Sequence, residues 1–148
     1  ASTDRKRRQA RAAGAEVAVD HRSPRAAARL REFAPGGFDR IIEVAPEANI
    51  ELDLAVAAAH ATIVVYAAGP RGTLPLERLL LANLTLRFVW IYGIPDAARR
   101  RALTDIAAAL SAGALTRLPE RDFELEEIAE AHEAVERRAP AKVLLRIQ

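Results

Sequence analysis

A chain of 148 residues, 51% of them hydrophobic, can bury one sizeable core and carries no segment that calls for a second domain. Its apolar residues come in short runs broken by charge, so no window approaches the ~18 continuous apolar residues of a membrane span, and a soluble, cytoplasmic protein is expected. The absence of Cys excludes disulfides, thiolate metal sites and cysteine nucleophiles, and a net charge of +2, with 20 of the 22 basic residues Arg, is too small for a nucleic-acid footprint.

In chain order, residues 4–13 are helix-tolerant and end at Gly14, which takes a left-handed cap without steric cost. The basic run Arg5-Lys6-Arg7-Arg8 lies on this helix, and a solvated face is its bland explanation. Residues 16–20 form a short β-branched run. Ser23-Pro24 then supplies a cap and a first-turn proline for a helix over 25–33. After Gly36-Gly37, residues 38–44 have a nearly continuous apolar centre, the pattern of a strand covered on both faces.

Residues 50–59 read as an Ala/Leu-rich helix and 62–66 as the clearest strand of the chain. A turn over 68–72 leads to a short helix at 76–82 and a long strand at 84–92. A helix over 96–112 is capped by Asp96 and stopped by Gly113. A strand-like piece near Phe123, a helix over 125–138 and a strand over 143–147 follow. Parallel strands need crossover connections, so this alternation predicts an α/β, doubly wound, Rossmann-like parallel sheet with strands at 17–20, 40–44, 63–66 and 86–91. Such sheets bind ligands at the carboxyl ends of their strands.

Several segments, in this order, carry a family resemblance: Ala1-Ser2-Thr3 and the basic helix, Ala12-Ala13-Gly14-Ala15, Val19-Asp20-His21-Arg22, Phe38-Asp39 with Glu43-Val44, and Thr62 to Tyr66. The ending adds Leu125 to His132 and Lys142-Val143-Leu144-Leu145. Together they resemble the zeta-crystallin-like NADPH:quinone oxidoreductases of the medium-chain dehydrogenase/reductase superfamily, over essentially the whole chain. The resemblance implies a partial dinucleotide-binding domain over 1–148, with the family's first strand, glycine-rich turn and N-terminal catalytic domain expected ahead of Ala1. No G-x-G-x-x-G occurs in the chain. With no Met and a start at Ala1, excision from a longer polypeptide is also expected.

The resemblance further implies NADPH as cofactor and hydride transfer to a quinone or enone substrate, in a homodimer with residues 84–92 near the contact. Ser2 and Lys6 match the positions that touch the adenosine 2′-phosphate, where a dianion wants a hydroxyl or amide donor and a cation near a helix start. His21 falls beside that region. Val44 and Ala45, then Tyr66-Ala67-Ala68-Gly69, end two strands where small residues let backbone approach the nicotinamide ribose, and Trp90 and Ile91 continue the channel. For Trp90, ordinary packing is the plainer role. His60 and His132 have no partner at metal-ligand spacing, and no Ser, His and acid form a triad, so neither a metal site nor a catalytic residue is expected in this chain. Two rival classes are an S-adenosylmethionine methyltransferase, whose C-terminal pattern fits 142–147 poorly, and a non-catalytic Rossmann-like interaction module.

Overall fold

Short apolar runs separated by helices become parallel ladders in the computed structural model, which describes residues 1–137 and 139–147. The elements are α1 (Asp4–Ala12), α2 (Ala26–Phe33), β1 (Phe38–Glu43), α3 (Pro46–Val56), β2 (Ala57–Val65), α4 (Leu76–Leu81), β3 (Thr85–Phe88), α5 (Asp96–Ser111), β4 (Glu120–Glu124), α6 (Ile128–Glu136) and β5 (Lys142–Arg146). The chain divides into two compact units, Val19–Ile106 and Ala1–Ala18 with Ala107–Gln148.

In the unit Val19–Ile106 the strands lie in the order β1-β2-β3, all parallel, with Ile41, Ile63 and Leu86 in register. Alternation along each strand puts Ile41, Ile63, Val65 and Leu86 on one face of the sheet. There Ile50 of α3, with Leu54, Leu74 and Leu84, closes a core in which Ile63 is fully buried. The other face carries Ile42, 64% exposed, so the continuous apolar pattern of β1 did not mean cover on both sides within this unit. Arg31 of α2 fastens α2 to the end of α3, donating from Nε to the Ala55 carbonyl (2.9 Å) and from Nη2 to that of Ala57 (3.0 Å).

The unit Ala1–Ala18 with Ala107–Gln148 holds a second, two-stranded parallel sheet of β4 and β5. Phe123 packs on Ala131 and Ala134 of α6, with Ala139 and Val143 alongside, and the Arg121 guanidinium lies 4.7 Å from the Phe123 ring centre. Glu124 and Glu127 form a capping box at the turn leading into α6. The Gln9 amide of α1 donates to the Pro140 carbonyl at 2.7 Å and ties α1 to the segment before β5.

Four expectations are corrected. Residues 17–20 join no strand among the described residues, because strand character depends on a ladder partner and not on β-branching alone. The helix expected over 50–59 begins at Pro46, a favoured first-turn residue, and stops at Val56, since Ala57–Ala59 enter β2. Pairing outweighs alanine's helix propensity there. The strand expected over 84–92 is only Thr85–Phe88: β2 ends at Val65, its last bond accepts from Val89, and Ile91–Gly93 turn as a 3-10 helix with Gly93 against the Trp90 ring. The helix expected over 125–138 opens as a 3-10 turn at Leu125–Glu127 before α6, and its last residue, Arg138, lies outside the described residues.

Between Phe38↔Ala57 and Arg40↔Thr62 the register of β1 on β2 slips. The extra residues of β2 bulge, with His60 at φ 64° donating its backbone N–H to the Ala82 carbonyl. No helix among the described residues is long and apolar enough to cross a membrane.

Candidate functional site

The carboxyl ends of β1, β2 and β3 come together because the three strands are parallel and in register. Past Glu43 the chain turns at Val44 and Ala45 into α3, and past Val65 it runs through Tyr66, Ala67, Ala68 and Gly69. A cavity of about 210 Å³ opens at this edge, lined mainly by Pro46, Glu47, Ala68, Gly69, Leu86 and Phe88, with the 70–74 loop closing its side. Its wall is largely apolar, with the Glu47 carboxylate and Arg71 as charged groups. Gly69 is held close: a methyl group there would meet the Glu47 Oε1 at 2.9 Å.

The turn at the end of β1 is built on a buried carboxylate. Glu43 is 6% exposed, and its Oε1 accepts from the backbone N–H groups of Val44 (2.6 Å) and Ala45 (2.5 Å) and from the Asn49 side-chain amide (3.0 Å). Burial alone raises its pKa, but the donors Ala45, Asn49 and Val44, with a hydrogen bond from Asp53, outweigh burial and hold it below the usual carboxylate range. Asp53, one helical turn beyond Asn49 on α3, is equally buried. Burial first, and then the Glu43 charge beside it, push its carboxyl up to about 7. Its Oδ2 has no hydrogen-bond partner, and below about pH 7 the buried pair holds a proton.

Of the residues singled out by sequence, Ala68 and Gly69 line the cavity, and Val44 and Ala45 sit at the same sheet edge on the Glu43-bonded turn. Tyr66 and Val44 are 57% and 47% exposed and belong to that edge without lining the cavity. Ala67 is exposed between them. Trp90 is 72% exposed, edge-to-face with Tyr92 at 6.0 Å, and Ile91 opens the 3-10 turn. His21 lies in an exposed turn.

Ser2 and Lys6 lie in the unit that holds α1. There the Lys6 N–H donates to the Thr3 hydroxyl (3.2 Å), which caps the helix. Sequence reasoning missed Pro46, Glu47, Phe88 and the Glu43–Asp53 pair. An acid ending an apolar strand, and Asn49 and Asp53 at i,i+4 spacing on one helix, were the available signs.

The small residues and the apolar cavity suit a flat ring approached by backbone. For a metal the fit fails: no group of three or more His, Cys, Asp or Glu gathers among the described residues. Comparison with known proteins supplies the lineage. The chain superposes on a crystallised NAD-dependent alcohol dehydrogenase with a TM-score of 0.84 at 24% identity, covering 100% of this chain and 43% of that one. On mycobacterial Rv1454c complexed with NADPH the score is 0.81 at 22% identity, with coverage of 99% and 47%.

On the quinone oxidoreductase of Pseudomonas syringae pv. Tomato DC3000 it is 0.75 at 17% identity, with coverage of 99% and 47%. The chain therefore spans less than half the length of each, and at these identities the likeness is one of Rossmann-like fold. The comparison with curated proteins finds no match. The sequence model of the zinc-binding dehydrogenase family matches residues 13–145, and the chain belongs to that family.

Proposed function

We propose that this chain is the NADPH-binding part of an oxidoreductase that passes hydride to a quinone or another conjugated carbonyl compound. The observation that carries the reading is the largely apolar cavity at the carboxyl ends of three parallel strands, where Rossmann-like sheets take their ligands. Family membership supports the reaction class, and the resemblance to quinone oxidoreductases supports the substrate. Bound nicotinamide supplies the hydride. The protein's part is to bind and orient: Ala45, Ala67, Ala68 and Gly69 let the backbone come close, while Val44, Tyr66, Trp90 and Ile91 flank the path. Phe88 offers a ring face, and Glu43 fixes the Val44–Ala45 turn through two N–H bonds. In this reading Ser2 and Lys6 take the adenosine 2′-phosphate.

The test is the cofactor preference of Lys6→Ala. An ammonium holding the 2′-phosphate contributes on the order of 1.5–3 kcal/mol, so NADPH binding should weaken by about ten- to a hundredfold while NADH binding stays level. Titration at near-physiological salt screens the neighbouring arginines. Equal losses for both cofactors would make Lys6 a residue of the fold and defeat the preference for NADPH.

The same proposal includes a homodimer with its contact near residues 84–92. Phe88, Trp90, Ile91 and Tyr92 are 65%, 72%, 58% and 82% exposed, an apolar concentration of the kind that marks association surfaces. Sedimentation should give a dimer for the native chain and a monomer for Tyr92→Arg. A native monomer at high micromolar concentration would remove the dimer from the proposal.

A further inference from the structure

Among the described residues, Glu43 and Asp53 are the buried polar or charged side chains, and they are hydrogen-bonded to one another. The Glu43 Oε1 gathers the Val44 and Ala45 N–H groups and the Asn49 amide, which makes this carboxylate the anchor of the turn from β1 into α3. The next two residues, Pro46 and Glu47, form a wall of the cavity at the sheet edge, and Asn49 and Asp53 follow on the same helix. Anchor, wall and partner acid are therefore one continuous stretch of chain. Among the described residues no cation offsets the pair. Of the elements packed on α3, β1 brings Glu43, with Asp39 and Arg40 exposed. From α2 comes Arg31, whose guanidinium donates to the carbonyls of Ala55, Ala57 and Pro35, with Arg29 and Glu32 exposed. His60 of β2 is exposed at the bulge, and Arg78 of α4 pairs with Glu51.

A buried carboxyl pair without a cation is comfortable with one proton and strained with none, because two adjacent anions repel where neither is solvated. Burial and the Glu43 charge push Asp53 up to about 7, so the pair loses its proton near neutral pH. We propose that the Glu43–Asp53 pair is a proton switch on the sheet-edge cavity: with its proton, the Val44–Ala45 turn stays anchored and the Pro46–Glu47 wall is in place to take ligand, and without it the wall loosens and affinity falls. Once the pair is doubly ionised, one carboxylate must move toward water. Glu43 leaving would free the two N–H groups of the turn, and Asp53 leaving would draw α3 off β1. Pro46 and Glu47 lie between the two acids in the chain and shift in either case. A ligand that fits the anchored wall therefore binds with proton uptake above neutrality and raises the pH at which the pair ionises. The inference rests on NADPH as the ligand of this cavity and adds the regulation of its binding by pH.

NADPH titrated by calorimetry into the whole chain and into Asp53→Asn, from pH 6.5 to 8.5, reads the switch. Native affinity should fall about tenfold or more across this range, as for a site that needs a proton held only to about 7. Asp53→Asn is neutral throughout and should hold its affinity. Titration of the cofactor's own phosphate is common to both proteins and cancels in the comparison. At pH 8, where that phosphate is already ionised, native binding measured in two buffers of different ionisation enthalpy should take up close to one proton, a readout that needs no variant. Thermal unfolding shows whether the variant is folded. Equal falls in the native chain and the variant, a flat native profile, or binding at pH 8 without proton uptake would each overturn the switch and leave NADPH binding in place. Failure of NADPH to bind either protein at any pH would remove the cofactor reading and the switch with it.

Discussion

Gly37→Ala should destabilise the chain by about 2–5 kcal/mol in chemical denaturation, and Gly36→Ala, one residue away, by less than about 0.5. Gly37 sits at φ +89°, and a Cβ there would lie 2.6 Å from the Ala58 nitrogen and 2.8 Å from the Val56 carbonyl oxygen. Both are backbone atoms at the junction where α3 passes into β2, so no flexible side chain can swing aside. Left-handed backbone in an L-residue costs about 1–2 kcal/mol, and overpacking about 1–3 more. At Gly36 an added methyl meets nothing within 4 Å. The position matters to the site because Gly37 leads into β1, whose far end carries the Val44–Ala45 turn. A shift of β1 against β2 would also disturb the slipped register beside it. Equal losses at the two glycines would show that the junction yields freely and that Gly37 is only a loop residue.

Much of this architecture was legible in the sequence. β1 and β2 stand out as β-branched runs between turn residues, and their parallel pairing follows from the helix between them. The sheet's carboxyl edge was therefore locatable, and with it Ala45, Ala68 and Gly69. Residues 17–20 have the same composition yet form no strand, because a ladder is a tertiary object that composition cannot supply. Ala57–Ala59 differ for a related reason: alanine prefers helix locally, and entry into β2, where Ala57 pairs with Phe38 of β1, decides otherwise.

The least legible features join distant residues. Glu43 and Asp53 meet only when α3 folds back across β1, and Gln9 reaches the Pro140 carbonyl only when α1 docks beside β5. In neither case does the local sequence mark the two residues as a pair.

Asp53→Asn should leave stability little changed near pH 4 and raise it by about 4 kcal/mol at pH 9. In the unfolded chain Asp53 gives up its proton near its ordinary value of 3.8, whereas in the native state it keeps it to about 7. Between these values the native state binds more protons, so native stability falls as pH rises through the window, and the full cost is present above it. Glu43 acts in the opposite sense. Its depressed pKa contributes stability above its unfolded value, which is lost on acidification, and this contribution is common to both proteins.

Asparagine is nearly isosteric, stays neutral and can donate its amide to Glu43 as the protonated acid does. The difference between the two proteins therefore isolates the charge on Asp53. Denaturation curves at pH 4, 6, 7.5 and 9 should diverge between pH 4 and 7.5 and hold level from there to pH 9, with half of the eventual gap open midway between the two pKa values, at about pH 5.4. The Val44–Ala45 turn reports the same event, because Glu43 holds both of its N–H groups, and their protection relative to intrinsic amide exchange should fall above pH 7 in the native protein and not in the variant. A gap that is constant across pH would mean that Asp53 is ionised throughout, and the shared-proton pair would have to be abandoned.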